Sequence, residues 1–240
     1  MSLLITGGNG QFAKHFVSVA KKESFEILSP SKLEMDIRNR DKINYYFKTY
    51  NNSFNYVIHA AAITTPMSWH LSDPKNSIET NIIGTANIVL SCQKYRKKLI
   101  YISTTYVYPG IKGNYDEDSD LNPVNEYAWS KLGGECSVNL YKNSLILRIC
   151  MTRNPFPHKN ALVDVKNSYI YNDQAAKIVI KLIDQTGIVN IGGKQQSIYD
   201  FAEIDNPDVG KIRLCNISDV KMAKNSSVNI DKMNMILLSL

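Results

Sequence analysis

Residues 2–13 read SLLITGGNGQFA, in which a short apolar run leads into a glycine-containing turn and then into a helical pattern. The small residues Gly7, Gly10 and Ala13 have a GxxGxxA spacing. Glycines at such positions permit a tight turn and the close approach of the backbone to a pyrophosphate, which then lies at the N-terminus of the helix. An ordinary strand-to-helix turn could also contain three small residues. The position between the first strand and the first helix favours a dinucleotide-binding turn.

Further short apolar runs follow the first one and are mostly separated by amphipathic helical patterns. They occupy residues 25–28, 56–60, 98–103, 144–149 and 187–193. Strands that alternate with helices predict a parallel sheet covered by helices on both faces, and such buried strands are continuously apolar, as these are. We therefore predict an α/β fold with a Rossmann-type, doubly wound parallel sheet.

The chain is expected to divide into a large and a small part. Residues 1–150 are predicted to form an NAD(P)-binding Rossmann domain, to which residues 170–192 return. Residues 151–168, which are irregular and contain prolines, and residues 193–240 are predicted to form a small C-terminal substrate-binding lobe.

Composition narrows the class of partner. The basic residues behind the net charge of +6 are scattered along the chain. The dense run KYRKK at 94–98 falls where a helix should end, so we expect its charges to interact with the helix dipole rather than with nucleic acid. No apolar run approaches the roughly 20 residues of a membrane-spanning helix, and the N-terminus does not resemble a signal peptide. We expect a cytoplasmic protein that binds neither nucleic acid nor membrane. The four cysteines lack ligand spacing, which predicts free thiols and no metal site.

The end of the second strand bears on the choice of cofactor. Many NAD sites carry an acidic residue there for the ribose 2′-hydroxyl, whereas this chain has Ser29, Ser31 and Lys32. Without a carboxylate to repel a 2′-phosphate, the expected cofactor is NADP(H) or NAD(H). Asp36 is a candidate for the adenine end, although a surface acid at a strand terminus explains it equally well.

Three residues have the chemistry for a proton transfer. Thr104 ends a predicted strand, and Tyr127 and Lys131 lie four residues apart on the next helix, hence on one face. A tyrosine of ordinary pKa is a poor acid or base at pH 7 unless its phenolate is stabilised, and a nearby ammonium group can do this. Together with a hydroxyl at Thr104, the pair could pass a proton to or from a carbonyl or carbinol oxygen while a nicotinamide exchanges hydride.

Seven segments in the same order resemble the extended short-chain dehydrogenase/reductases that act on nucleotide sugars. They are TGGNGQFA (6–13), HAAA (59–62), Asn81 in TNIIGTANI, STTYVYPG (103–110), YAWSK (127–131), LILRI (145–149) and YNDQAAKIVIKLI (171–183). Within that family the chain is most similar to the dTDP-4-dehydrorhamnose reductases, through Gln11, LEMDI (33–37), YAWSKLGGE (127–135) and AKNSSVNIDKM (223–233).

The resemblance implies roles residue by residue. Thr104 would orient the reacting oxygen, Tyr127 would donate the proton, and Lys131 would lower the pKa of the tyrosine and hold the nicotinamide ribose. The residues implied to line the cofactor are Gly7, Gly10, Gln11, Phe12, Asp36, Ile37, Ala60, Ala61, Ala62, Asn81, Tyr127, Lys131 and Met151. Those implied to contact a nucleotide-sugar substrate are Thr64, Thr65, Thr104, Thr105 and Arg153.

The implied activity is the NAD(P)H-dependent reduction of a 4-keto group on a deoxysugar nucleotide. Related 4,6-dehydratases carry an Asp-Glu pair where this chain has Thr105 and Tyr106, which disfavours dehydration. Two alternatives stay open: a 4-epimerase that keeps NAD bound, and a non-catalytic, NADP-binding regulatory subunit. The short lobe could be completed by a second copy in a homodimer.

Four other polar residues carry expectations of their own. His59 ends a strand and should be a packed, hydrogen-bonded histidine rather than a base. His70, with Trp69, lies in a loop expected to face the cleft. Arg148 should pair inside the fold, and Asp173 should cap the following helix.

Overall fold

The computed structural model describes residues 1–217 and 221–240. Within them the strands are β1 (Ser2–Thr6), β2 (Glu26–Leu28), β3 (Tyr56–His59), β4 (Lys98–Thr104), β5 (Ser144–Ile149), β6 (Met151–Thr152), β7 (Asn160–Leu162), β8 (Lys166–Asn167), β9 (Ile170–Tyr171), β10 (Gly187–Ile191), β11 (Gln196–Ser197) and β12 (Gly210–Ile212). The helices are α1 (Gln11–Lys22), α2 (Arg40–Thr49), α3 (Trp69–Ser72), α4 (Pro74–Ser77), α5 (Gly84–Tyr95), α6 (Glu126–Asn139), α7 (Asn172–Lys181), α8 (Ile198–Ala202) and α9 (Asp231–Leu238). A π-helical segment, Ile78–Ile83, joins α4 to α5.

The six predicted apolar runs form one parallel sheet, which confirms the Rossmann-type fold. Its strand order is β10-β5-β4-β3-β1-β2, and every neighbouring pair is parallel. The chain leaves β1 toward one edge and returns past it to β3 on the other side, so that the order reverses between β1 and β3. Ligands of open α/β sheets bind at the carboxyl ends of the strands beside such a reversal.

Alternate residues of each strand pack against helices on opposite faces, because successive side chains of a strand point to opposite sides. On β1, Leu3 and Ile5 join a cluster with α1 and α7, whereas Leu4 joins a cluster with α2 and α5. Both faces are therefore buried, which is why the strands are continuously apolar.

A separate apolar cluster lies in the predicted lobe region. It contains Phe156, Leu162, Val165, Phe201 and Val209, around the short pairs β7-β12 and β8-β11. The predicted division nevertheless misplaces the C-terminal helix, because Met233 of α9 packs in the main-sheet cluster with α1 and α7. An apolar octapeptide helix does not show in sequence which core it covers.

Residues 224–229 connect the lobe region to the main sheet. Asn225 N–H donates to the carbonyl of Gly110, and Ser226 N–H donates to the carbonyl of Lys166 in β8. Further along, Tyr115 and the segment exchange backbone hydrogen bonds through Ser227 and Asn229. We call residues 224–229 the connecting segment; it bonds to the 110–115 loop on one side and to β8 on the other.

One ion pair is buried between α6 and the sheet, as expected for Arg148. Its guanidinium donates to both carboxylate oxygens of Glu135, with the closest ion-pair contact at 3.0 Å, and also to the hydroxyl of Tyr108 and the carbonyl of Glu117. Ser103 on β4 donates a short hydrogen bond to the same carboxylate. Nearly every polar atom of the pair thus has a partner, which offsets the cost of burying two charges.

The four cysteines are free thiols, as their spacing predicts. In residues 1–217 and 221–240 no group of three or more His, Cys, Asp or Glu side chains is arranged to bind a metal ion. The same residues contain no helix that is both long enough and apolar enough to cross a membrane.

Arg148→Met should lower the free energy of unfolding by about 3–5 kcal/mol, because it leaves the Glu135 carboxylate buried without its cation. The measurement is urea denaturation. As a matched control, Lys75→Met removes the exposed pair with Glu79, whose atoms are 3.9 Å apart and whose side chains are 82% and 41% exposed. That loss should stay below about 1 kcal/mol; equal losses in the two variants would contradict the argument.

Candidate active site

The glycine turn at residues 7–10 lies in close contact with the ends of β2 and β3. Gly7 has φ +71°, and a Cβ there would lie 2.8 Å from the Cα of Ala61 just after β3. A Cβ on Gly8 would lie 2.6 Å from the carbonyl oxygen of Ser29 just after β2. Gly10 is the N-cap of α1 and supplies no side-chain cap, so the first-turn N–H groups of the helix are left for an anion.

A hydrogen-bond chain through His59 joins β1, β3 and α5. Ala61 N–H donates to Thr6 Oγ1 at 3.1 Å, and the Thr6 hydroxyl lies 2.7 Å from His59 Nδ1. On the other side of the ring, Nε2 lies 3.0 Å from Thr85 Oγ1, whose hydroxyl donates to the carbonyl of Asn81 at 2.7 Å. Since the chain begins at a donor and ends at an acceptor, His59 must be neutral with its proton on Nε2. Burial lowers the pKa of His59 to about 3, in agreement with this state.

Asn81 lies in the π-helical segment and holds the loop after β3. Its amide accepts from the N–H of Ile63 at 2.8 Å and donates to the carbonyl of the same residue at 2.9 Å. It also donates to Ser130 Oγ, and that hydroxyl donates to the carbonyl of Tyr127. Asn81 is fully buried, and its side chain joins this loop to α6 by hydrogen bonds.

Tyr127 lies in the first turn of α6, which Asn125 begins by accepting a hydrogen bond from Ala128 N–H at 2.9 Å. Thr104, at the end of β4, lies beside the Tyr127 phenol, and its hydroxyl acts to lower the pKa of that group. Burial raises the pKa of Tyr127, so the phenol keeps its proton at neutral pH.

In the protein alone, burial of the phenol outweighs the groups that lower the pKa of Tyr127, and the lowering by Lys131 stays a prediction. The Lys131 ammonium lies over the ring of Tyr101, with Nζ 4.2 Å from the ring centroid. Burial lowers the pKa of Lys131 itself to about 7, with Glu135 acting in the opposite direction. The lysine is thus held beside the sheet at the same end of α6 as the tyrosine.

Several neighbours of Tyr127 are not evident from sequence. The buried cluster around it includes Met67, Tyr106, Cys150 and Tyr169. Burial raises the pKa of the Cys150 thiol to about 11, so it is neutral. Each of these residues comes from a different loop or strand end, and the only sequence signal is that Cys150 directly follows β5.

His70 and Trp69 lie on the short helix α3 rather than in a loop. The ring centroid of His70 is 5.2 Å from that of Tyr127, and its side chain is buried. Trp69 is largely exposed, so the two side chains point in different directions, and a contact of either with a ligand stays a prediction.

The predicted cofactor residues fall into two groups. Ala60, Ala61 and Ala62 are half-buried at the carboxyl end of β3, Gln11 is exposed at the start of α1, and Met151 is half-buried at the start of β6. By contrast, two side chains pack into the core, so that only their backbone could face a cofactor: Phe12 against Phe16, and Ile37 against the backbone of Gly84.

Asp36 is engaged by a neighbour. Arg38 donates three side-chain hydrogen bonds to its carboxylate, the shortest at 2.6 Å, and this contact lowers the pKa of Asp36. Both residues line an open concavity of about 610 Å³ together with Arg40 and Glu79. Any group bound at this end therefore meets an ion pair rather than an isolated carboxylate.

The predicted substrate residues differ in accessibility. Thr64 and Thr65 are exposed in the loop after β3, and Arg153 is exposed after β6. Thr105 is fully buried, and its hydroxyl has no hydrogen-bond partner in the part of the chain that the structure describes. The implied contact of Thr105 with a substrate stays a prediction.

A largely apolar cavity of about 400 Å³ opens in the lobe region, next to the cluster around Tyr127. Its lining includes Thr152, Phe156, Leu162, Tyr169, Ile212 and Met222. Tyr169 belongs both to this lining and to the cluster around Tyr127. The cavity wall and the cluster around Tyr127 thus share the side chain of Tyr169.

The capping expectation for Asp173 is wrong. Helix α7 begins one residue earlier, at Asn172, and the N–H of the preceding Tyr171 is satisfied by the side chain of Gln174 at 3.1 Å. Asp173 lies in the first turn instead, where a negative charge still favours the helix dipole.

With this geometry the chain can be compared with known proteins. The sequence profile of the family described as "RmlD substrate binding domain" matches residues 1–180. The chain belongs to this family. The dTDP-D-glucose 4,6-dehydratase of Dictyostelium discoideum is 31% identical over 90% of this chain and 62% of its own length. The dTDP-4-dehydrorhamnose reductase of Mycolicibacterium smegmatis is 27% identical over 57% of this chain and 41% of its own length.

Solved structures of the family have the same fold. The dTDP-4-dehydrorhamnose reductase of Bacillus anthracis, determined in complex with NADP, superimposes with a TM-score of 0.86 at 22% identity, covering 98% of this chain and 91% of that one. The chain spans only part of the length of the curated relatives, 62% of the dehydratase and 41% of the mycobacterial reductase.

Gly7→Ala should weaken cofactor binding and destabilise the fold, because the added Cβ meets the backbone of Ala61. The matched control is Gly187→Ala: this glycine also has a positive φ, +84°, but a Cβ there meets nothing within 4 Å. Backbone strain of about 1–2 kcal/mol is common to both variants. Titration with NADPH should show a loss of affinity only for Gly7→Ala, and equal affinities would refute the assignment of the turn.

Stability should depend on pH through His59. Below about pH 6.5 the unfolded chain binds a proton at this histidine, whereas the folded chain does not until about pH 3, so falling pH favours unfolding. Relative to His59→Gln, the wild type should lose up to about 1.4 kcal/mol more per pH unit across this range. Denaturation at several pH values tests this, and parallel pH profiles of the two proteins would exclude it.

Proposed function

We propose that this protein catalyses the NAD(P)H-dependent reduction of the 4-keto group of a deoxysugar nucleotide. The observation that carries the proposal is a protonated Tyr127 phenol beside Thr104 at the carboxyl edge of the sheet. The glycine turn at Gly7 lies at the same edge of the sheet, beside the point where the strand order reverses. A proton donor and a dinucleotide turn therefore share one edge.

The residues at the turn fit a dinucleotide. The positive φ of Gly7, its contact with Ala61 and the uncapped N-terminus of α1 leave space and N–H donors for a pyrophosphate. Bound nicotinamide would supply the hydride. Ser29, Ser31 and Lys32 at the end of β2 favour NADPH, since they offer hydroxyl and ammonium groups rather than a carboxylate to a 2′-phosphate.

The proton would come from Tyr127. Its raised pKa keeps the phenol protonated, Thr104 fixes the direction of the hydroxyl, and the proton moves to the former carbonyl oxygen to give a hydroxyl group. A phenolate is then left in a buried site. Lys131, one helical turn away, is the nearest residue on α6 whose ammonium form would stabilise that charge.

The cavity beside Tyr169 supports a substrate with an extended nucleotide part. It has about 400 Å³, a size in the ordinary range of small-molecule sites, and an apolar lining suited to a base or sugar face. We assign those cavity-lining residues that fall within 151–168 and 193–217 to the substrate-binding lobe. The exposed Arg153 precedes the lobe and is available for a pyrophosphate.

Reduction is favoured over dehydration by the residues that follow Thr104. A dehydratase needs a carboxyl acid and a carboxylate base, and the two positions hold Thr105 and Tyr106, both buried. Neither side chain titrates near neutral pH. The 31% identity with a dehydratase therefore supports the common scaffold and cofactor class rather than its reaction.

Tyr127→Phe should reduce kcat by about 10²–10⁴-fold, because it removes the proton donor and leaves the ring packing in place. The assay follows the loss of NADPH absorbance with a 4-keto-6-deoxy nucleotide sugar. Tyr45→Phe, at an exposed tyrosine of α2, is the matched control and should keep wild-type turnover.

Three outcomes separate the reductase from its alternatives. Full turnover in Tyr127→Phe would refute the proton role. Absence of turnover with every nucleotide sugar tested, with NADPH still bound, would indicate the regulatory subunit. NAD retained through purification, with no net oxidation, would indicate the epimerase. Size measurement in solution tests the predicted homodimer.

A further inference from the structure

Helix α3 directs one side chain into the protein. His70 is 1% exposed, whereas its neighbours Trp69 and Leu71 on the same single turn are 55% and 68% exposed. An inward imidazole on so short a helix is not needed to fill the main core, since α3 belongs to neither sheet cluster. The contacts of His70 must therefore explain why its side chain is buried.

Those contacts join two segments of the candidate site. Nδ1 of His70 lies 2.8 Å from the hydroxyl of Ser77 at the end of α4. The imidazole ring lies against the phenol ring of Tyr127, with 5.2 Å between centroids and 58° between planes. The histidine thus connects the stretch that begins with Thr64 and Thr65 to the helix that carries the proposed proton donor.

The chemistry of the imidazole argues against a role that is limited to filling space in the interior. Nε2 is buried and has no hydrogen-bond partner in residues 1–217 and 221–240, which costs roughly 1–3 kcal/mol relative to a satisfied group. An apolar ring would avoid that cost. What an apolar ring could not do is accept the Ser77 hydrogen bond, which fixes the angle at which the ring meets Tyr127.

The half-buried phenol of Tyr127 has neighbours on more than one side. Thr104 lies beside its hydroxyl, and Cys150 lies close to the phenol. His70, held by Ser77, packs against the ring. Restricting the ring in this way favours a single orientation of the phenol, which a proton donor aimed at a carbonyl oxygen requires.

We propose that His70, held by Ser77, is a positioning residue that fixes the phenol of Tyr127 for proton donation. The proposal rests on the proposed function of Tyr127 as proton donor. It does not require His70 to touch the substrate or the cofactor.

The first test measures how tightly the ring is held, through its flip rate, and needs no substrate. In protein with ¹³C-labelled tyrosine rings, the Tyr127 signal is assigned by its loss in Tyr127→Phe, and its ring-flip rate is measured by NMR. Ser77→Ala keeps the imidazole but removes its anchor, and should raise the flip rate at least severalfold; His70→Ala should raise it further. Trp69→Ala, on the same turn but exposed, should leave the rate unchanged.

The second test uses turnover. His70→Ala should lower kcat by up to about 10²-fold while KM for NADPH changes less than twofold, since the cofactor turn is untouched. His70→Phe, which keeps a ring against Tyr127, should recover part of the loss, and a melting curve for each variant establishes that it folds.

The two tests fail in different ways. Wild-type flip rates in both Ser77→Ala and His70→Ala would overturn the positioning role, as would wild-type kcat in His70→Ala. If the wild type reduces no nucleotide sugar, the proposed function fails, and the flip rates still decide whether His70 positions Tyr127.

Discussion

The close approach of β1 and β3 at their carboxyl ends is the constraint on which the rest of the site depends. Gly7 can pass Ala61 only because it lacks a side chain, and Thr6, one residue earlier, begins the hydrogen bonds that run through His59. The same bonds continue through Thr85 to Asn81, and from Asn81 through Ser130 to the carbonyl of Tyr127. The glycine turn and the backbone of Tyr127 are therefore parts of one continuous hydrogen-bonded structure.

Burial decides the ionisation of the groups in this structure. It keeps His59 neutral, keeps the Tyr127 phenol protonated and brings the pKa of Lys131 to about 7. The Glu135 carboxylate pairs with Arg148 inside the fold and acts to raise the pKa of Lys131 against the effect of burial. A site built in this way suits a reaction that delivers a proton at one oxygen and excludes water from the rest.

The sequence was sufficient for the fold and for the segments that meet at the candidate site, and the reasons are local. A strand buried on both faces must be apolar throughout, and a glycine turn between strand and helix has a recognisable spacing, so β1 and α1 could be placed from residues 2–22 alone. Thr104 and Tyr127 followed because a strand end and the next helix start meet at the same edge.

What the sequence missed depends on contacts between distant segments. His70 and Cys150 reach Tyr127 from two separate parts of the chain, and no periodicity encodes that meeting. The packing of Phe12 and Ile37 into the core could not be foreseen, because a motif marks a position without saying whether its backbone or its side chain faces a ligand. The effect of burial on the pKa of Tyr127 was also not foreseeable, because spacing on a helix does not report burial.

The connecting segment has a consequence for the order in which the protein can be assembled. Residues 224–229 bond to the 110–115 loop and to β8, and Met233 of α9 then fills the main-sheet cluster beside α1. During synthesis, the sheet face that carries the first helix stays incompletely covered until residues more than 200 positions later have been made. The amino-terminal half must therefore persist with an open apolar face while the chain grows, which makes this face the natural point of contact for a chaperone during translation.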